Sequence, residues 1–136
     1  MEFLDDDRKK KLTNFFKFVR NHLGIKTPPP IIIQNGRKGL KTTASYDYTK
    51  PGNPIRINGK GRALVDIMRS GAHEMVHHKQ WEDGKLKVRP PDIGGPIEDE
   101  ANAVAGQLIK LFALKDSTIY EGINNRKTIK ETNWYD

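Results

Sequence analysis

Arg62-Ala63-Leu64-Val65-Asp66-Ile67-Met68-Arg69-Ser70-Gly71-Ala72-His73-Glu74-Met75-Val76-His77-His78-Lys79-Gln80-Trp81 carries the period that decides the fold. Leu64, Val65, Met68, Ala72, Met75 and Val76 recur at helical spacing, which predicts an amphipathic α-helix over residues 62–81. Residues four apart on a helix are about 400° apart in rotation, so His73 and His77 share a face one turn from each other. Two imidazoles placed that way can bind one tetrahedral zinc ion. Glu74 lies about 100° round from His73, beside such an ion without ligating it, where a carboxylate can take a proton from an attacking water. Shuffling a chain with this His and Glu content would produce His-Glu-x-x-His in on the order of half a per cent of cases, so chance explains it poorly. The competing interpretation is a surface helix whose histidines are merely solvated. His78 points away from the His73–His77 face and reads as a surface or supporting residue, not a ligand.

The segments on either side supply the context. Upstream, Ile55-Arg56-Ile57-Asn58 alternates as a half-buried strand should, between the turn Pro51-Gly52-Asn53-Pro54 and Gly59. Residues 41–49 read as a further strand, and Ile31-Ile32-Ile33 as another, closed by Asn35-Gly36. Residues 5–23 carry Leu12, Phe15, Phe16, Val19 and Leu23 behind an acidic first turn, a helix ended by Gly24 and Pro28-Pro29-Pro30. Downstream, residues 82–95 read as a loop with a short extended piece at 86–88. Pro96 then opens a third helix whose stripe is Ile97, Ala101, Val104, Ala105, Leu108 and Phe112, running to about residue 114. Residues 117–136 are polar and weakly patterned, with Trp134 and Tyr135 as an anchor on the body or on a partner. Helix, strands, helix, helix is an α+β order. At 136 residues the expectation is one domain, with a core over about 5–114 and a C-terminal tail over 115–136.

Composition narrows the chemistry. The chain has no cysteine, which excludes disulfides, thiol catalysis and cysteine-ligated zinc, so any metal must be held by His, Asp or Glu. A formal charge of +7 suggests an anionic neighbour, such as an acidic assembly surface, cell-wall material or nucleic acid. Basic residues are scattered and not blocked, which supports nucleic-acid binding only weakly. Residues 1–11 lack an apolar signal region and no run reaches transmembrane length, so the expectation is a protein that is neither secreted by a classical signal nor membrane-bound.

Two histidines and a water leave one protein ligand to find. His22 is far upstream on the first helix, and Glu82 and Asp83 follow the second helix too closely for the chain to turn back. Glu98, Asp99 and Glu100 open the third helix after a long loop. Asp99 falls opposite the apolar stripe, whereas Glu98 and Glu100 flank it on opposite sides, and the wheel alone does not choose between them. Asn102, one turn beyond Glu98, can hydrogen-bond a ligating imidazole, which favours Glu98. The same acids would also compensate the dipole of a helix start without any metal.

Ala72-His73-Glu74-Met75-Val76-His77-His78-Lys79-Gln80 followed by Glu98-Asp99-Glu100-Ala101-Asn102 resembles the gluzincin metallopeptidases, in which His-Glu-x-x-His is completed by a Glu-x-x-Ala-Asp/Asn helix. It is similar to the ImmA/IrrE type and to compact phage-encoded metallopeptidases, over roughly residues 42–112. The resemblance implies a minimal zincin-like domain with His73, His77 and Glu98 as zinc ligands, Glu74 as general base and Asn102 supporting a ligand histidine. It also implies a peptide or protein substrate, added as an extra strand along residues 55–58 as an edge strand. The 136 residues leave no room for the additional DNA-binding or sensor domain of the ImmA/IrrE type, which fits a minimal phage-borne protein, cytoplasmic in the host or virion-associated, better than a regulatory protease. Two other functions compete with hydrolysis: an assembly protein that keeps the zinc domain for stability and docks into a larger particle, and a protease recruited to nucleic acid by its basic surface.

Overall fold

The histidine-bearing helix, α2 (Leu64–Glu82), is buried on several sides, because every other element packs around it or around the sheet it covers. The computed structural model describes residues 4–86 and 95–120. Around α2 lie α1 (Asp6–Leu23), the strands β1 (Ile31–Gln34), β2 (Ala44–Tyr46) and β3 (Ile55–Asn58), α3 (Pro96–Lys115) and a single 3-10 turn, Ser117–Tyr120. The architecture is α+β: three helices and a small three-stranded sheet. Among the described residues no helix is long and apolar enough to cross a membrane.

Local chemistry accounts for the element ends. The Asp5 carboxylate accepts from the Arg8 N–H (2.8 Å) and caps α1, with Asp6 and Asp7 in its first turn. Gly24, at φ 70°, ends it in the left-handed conformation, and the Ile25 N–H reaches back to the Arg20 carbonyl (3.1 Å) while the Ile25 side chain is buried. Leu12, Phe15 and Val19 face inward from α1, and the Phe15 ring meets Phe112 of α3 edge-on at 5.2 Å. Beyond α3, Ile119 is fully buried, so packing continues past residue 114 into the 3-10 turn.

The sheet order is β1-β3-β2, with β1 parallel and β2 antiparallel to β3. Ile55 and Ile57 are wholly buried, while Arg56 on the opposite face donates to the Gln34 side chain (3.0 Å) and the Lys38 carbonyl (2.9 Å). This corrects two expectations. Residues 55–58 are the central strand and not an edge; the edge facing α2 is β2, because the parallel β1–β3 pair needs a connection and the intervening chain returns on the far side of β3. The strand expected over 41–49 is regular only at Ala44–Tyr46; just outside it the Thr43 carbonyl accepts from the Asn58 N–H (2.8 Å) and the Asp47 N–H donates to the Pro54 carbonyl (3.1 Å), and side chains then bond the backbone locally. Thr42 Oγ1 donates to the Ala44 carbonyl (2.9 Å), and the Asp47 carboxylate accepts from the Thr49 N–H (3.0 Å). The extended piece expected at 86–88 and the anchor at Trp134 and Tyr135 fall wholly or partly outside the described residues.

Gly71 marks where α1 crosses α2. A Cβ there would lie 2.5 Å from Phe16 Cε1 and 3.2 Å from Ile57 Cδ1, so the close approach of helix, helix and sheet requires a hydrogen at this position. Gly71→Val is expected to lower unfolding stability by about 1–3 kcal/mol through overpacking, read by denaturant titration; an unchanged midpoint would show that the crossing tolerates the added bulk.

Candidate metal centre

His73 and His77 stand one turn apart on α2, with ring centroids 4.7 Å apart and ring planes nearly perpendicular. Their Nε2 atoms are 3.2 Å apart. Glu98, in the first turn of α3, straddles both: Oε1 is 3.0 Å from His73 Nε2 and Oε2 is 2.8 Å from His77 Nε2. Gly95 at φ 90° and Pro96 turn the chain into α3 immediately before this carboxylate. Of the acids left open by the helical wheel, Asp99 is exposed and Glu100 faces away, accepting from Gln80 Nε2 at 2.7 Å. His73, His77 and Glu98 therefore form a group able to hold a metal ion.

The hydrogen bonding around His77 sets which of its ring nitrogens faces Glu98. The Gln80 amide donates through Nε2 to the Ile97 carbonyl (3.1 Å) and to the Glu100 carboxylate, which fixes its oxygen toward His77 Nδ1 at 2.7 Å. Nδ1–H is then the donor, and in the neutral ring the lone pair of Nε2 points at Glu98 and His73. A lone pair facing a carboxylate oxygen at 2.8 Å is repulsive unless a proton or a metal lies between them. Burial, and then His77, lower the His73 pKa below its ordinary value, against the opposing pull of Glu98 and of the hydrogen bond that the ring donates to Asn102. Donor atoms about 2.0–2.1 Å from one tetrahedral ion lie about 3.3 Å apart, and the spacings here are 2.8, 3.0 and 3.2 Å.

Glu74 and His73 line a cleft of about 290 Å³ with Asn102 of α3, Thr42, Thr43 and Ala44 at the β2 edge, and Arg62, Asp66, Arg69 and Ser70. Desolvation, and then the Glu98 carboxylate, push the Glu74 pKa up to about 8. A dication beside it would reverse that shift, because it favours the charged carboxylate.

His78 is not a surface residue. It is 2% exposed, with Nδ1 2.8 Å from the Tyr46 hydroxyl and Nε2 2.7 Å from the Thr27 carbonyl. Asn53 donates to the same hydroxyl (2.9 Å), and burial pushes the Tyr46 pKa up to about 12. Glu82 accepts from the Lys26 and Thr27 N–H groups at 3.0 and 2.9 Å. These bonds tie the loops before β1 and before β3 to the end of α2, so Tyr46 and His78 are structural, and Arg56 is held on the far face of the sheet. Gln80 was the residue the sequence reading missed. Its signal was available: it lies one turn after His77, on the same face, where a polar side chain among apolar neighbours needs a partner.

For Glu74 the folded-state pKa near 8 lies above its ordinary 4.5, so the metal-free fold loses stability from this group as pH rises through that window. Metal-free Glu74→Gln is expected to gain on wild type in unfolding free energy between pH 5 and pH 8; a pH-independent difference would remove the assigned shift. Gln80→Leu frees the His77 ring, and divalent-ion affinity measured by chelator competition is expected to fall about 10–100-fold.

No protein-family model, curated protein or solved structure matches this chain, so its functional reading rests on the geometry of these two helices and the cleft beside them.

Proposed function

We propose that this chain is a zinc-dependent metallopeptidase of the gluzincin kind. The observation that carries the reading is the convergence of His73 Nε2, His77 Nε2 and the Glu98 carboxylate at 2.8–3.2 Å, with His77 held in the tautomer that aims its lone pair at the others. Two imidazoles and one carboxylate, in a chain without cysteine, are the ligand set of hydrolytic zinc sites that keep one position open. A zinc ion held there would polarise a scissile carbonyl and acidify water.

The chain's own residues do the rest. Glu74, in the same cleft as His73 and outside the donor set, accepts the proton of the attacking water and delivers it to the leaving amine. A dication held beside it would keep Glu74 as the charged carboxylate that this exchange requires. Asn102 and Gln80 hold the two rings from behind. The β2 edge beside the cleft offers backbone groups to an extended substrate, replacing residues 55–58 in that role.

The test combines metal content with turnover. Purified protein is expected to hold zinc and to gain about 2.7 kcal/mol of stability at a free-zinc concentration a hundredfold above Kd, whereas His73→Ala and Glu98→Ala lose both. Glu74→Gln is expected to keep the metal and to cleave a general peptide substrate about 10²–10⁴-fold more slowly. Undiminished cleavage by that variant would overturn the assignment of Glu74, and zinc stabilisation with no hydrolysis by wild type would favour an assembly role.

A further inference from the structure

The mechanism above makes no use of the arginine end of the cleft. Arg62, between β3 and α2, lays its guanidinium along the first turns of α2: Nη1 donates to the Asn58 carbonyl (2.9 Å), and Nη2 to the Asp66 carbonyl (3.0 Å) and Ser70 Oγ (2.8 Å). A guanidinium has five N–H donors. Those three bonds all end on neutral oxygens, and among the described residues no carboxylate lies within ion-pair distance of Arg62. The Asp66 carboxylate instead engages Arg69, at 3.3 Å and half exposed. Two arginines therefore face one aspartate, and this end of the cleft keeps a positive charge. Burial also pulls the Arg62 pKa below its ordinary value, against the smaller opposing effect of the Asp66 charge.

Position gives that charge a task. Ser70, which the guanidinium touches, lies one turn before His73 and Glu74 on α2, where side chains three and four apart are about 5–6 Å from one another. An extended peptide advances about 3.3 Å per residue, so the guanidinium stands one or two residues from the bond being attacked.

We propose that Arg62, with Arg69 at the rim, forms an anion subsite that selects peptides carrying a carboxylate one or two residues from the scissile bond. The proposal deepens the peptidase reading and rests on it for the position of that bond. The carboxylate can be an acidic side chain or the peptide's own C-terminus, since a guanidinium pairs with either in the same way. The net charge of +7 draws such substrates toward the chain.

The experiment uses zinc-loaded protein and three versions of one alanine-based peptide: capped at both ends, carrying a free C-terminal carboxylate, and capped with one internal aspartate. Hydrolysis is followed with wild type, and binding with Glu74→Gln by calorimetry, so that selectivity is read even if nothing is cleaved. At least one acidic version is expected to bind about tenfold more tightly than the capped peptide and to be cleaved with a lower KM. Which of the two does so identifies the source of the carboxylate. Adding Arg62→Gln to the binding protein is expected to erase the preference while zinc content stays constant, and adding Arg62→Lys to restore part of it. Equal binding of all three peptides overturns the subsite, whether or not they are cleaved. A preference that survives Arg62→Gln assigns the carboxylate to the zinc and also overturns it, as does binding of a short single-stranded oligonucleotide without any preference among the peptides. Selective binding without hydrolysis keeps the subsite and defeats only the peptidase reading.

Discussion

Two imidazole nitrogens and the two oxygens of one carboxylate, brought into contacts of 2.8–3.2 Å from two different helices, are the constraint around which the rest of this protein is arranged. Such a cluster repels itself in a poorly solvated site unless something positive is shared among its members. The fold does not relieve the strain by letting the rings turn away. Gln80 locks His77 from behind, and its amide is in turn locked by the first turn of α3, the same turn that supplies Glu98. The element that delivers the third donor thus also orients the second.

The polar stripe of α2 continues away from the cluster in His78 and Glu82, and the same logic holds it. Buried polar groups cost stability unless each is bonded, and here the partners come from separate segments: Thr27 and Lys26 from the chain before β1 and Tyr46 from β2, with Asn53 of the turn before β3 bonded in turn to Tyr46. The loops are therefore fastened to the helix that carries the donors, and the β2 edge is set at a fixed distance from the cleft. A small domain with a limited apolar core gains rigidity this way around its candidate metal centre.

Charge in the cleft is divided by position. Glu74 sits where solvent is scarce, which favours the protonated carboxylate until a cation approaches. The Arg62 guanidinium touches Ser70, one turn before Glu74, with three of its five N–H donors on neutral oxygens. A buried carboxylate and a guanidinium thus line one groove.

Helical and strand periods, the helix ends at Asp5, Gly24 and Pro96, and the shared face of His73 and His77 were legible from the chain alone, because all depend on residues a few positions apart. Glu98 over Glu100 was only favoured there: both flank one apolar stripe, and the choice is made by how α3 is rotated against α2. The central place of β3, the burial of His78 and the orientation that Gln80 takes from Ile97 were decided by tertiary structure. Each depends on a partner 17 or more residues away or on strand order, and local spacing carries no information about which distant backbone group a side chain will meet.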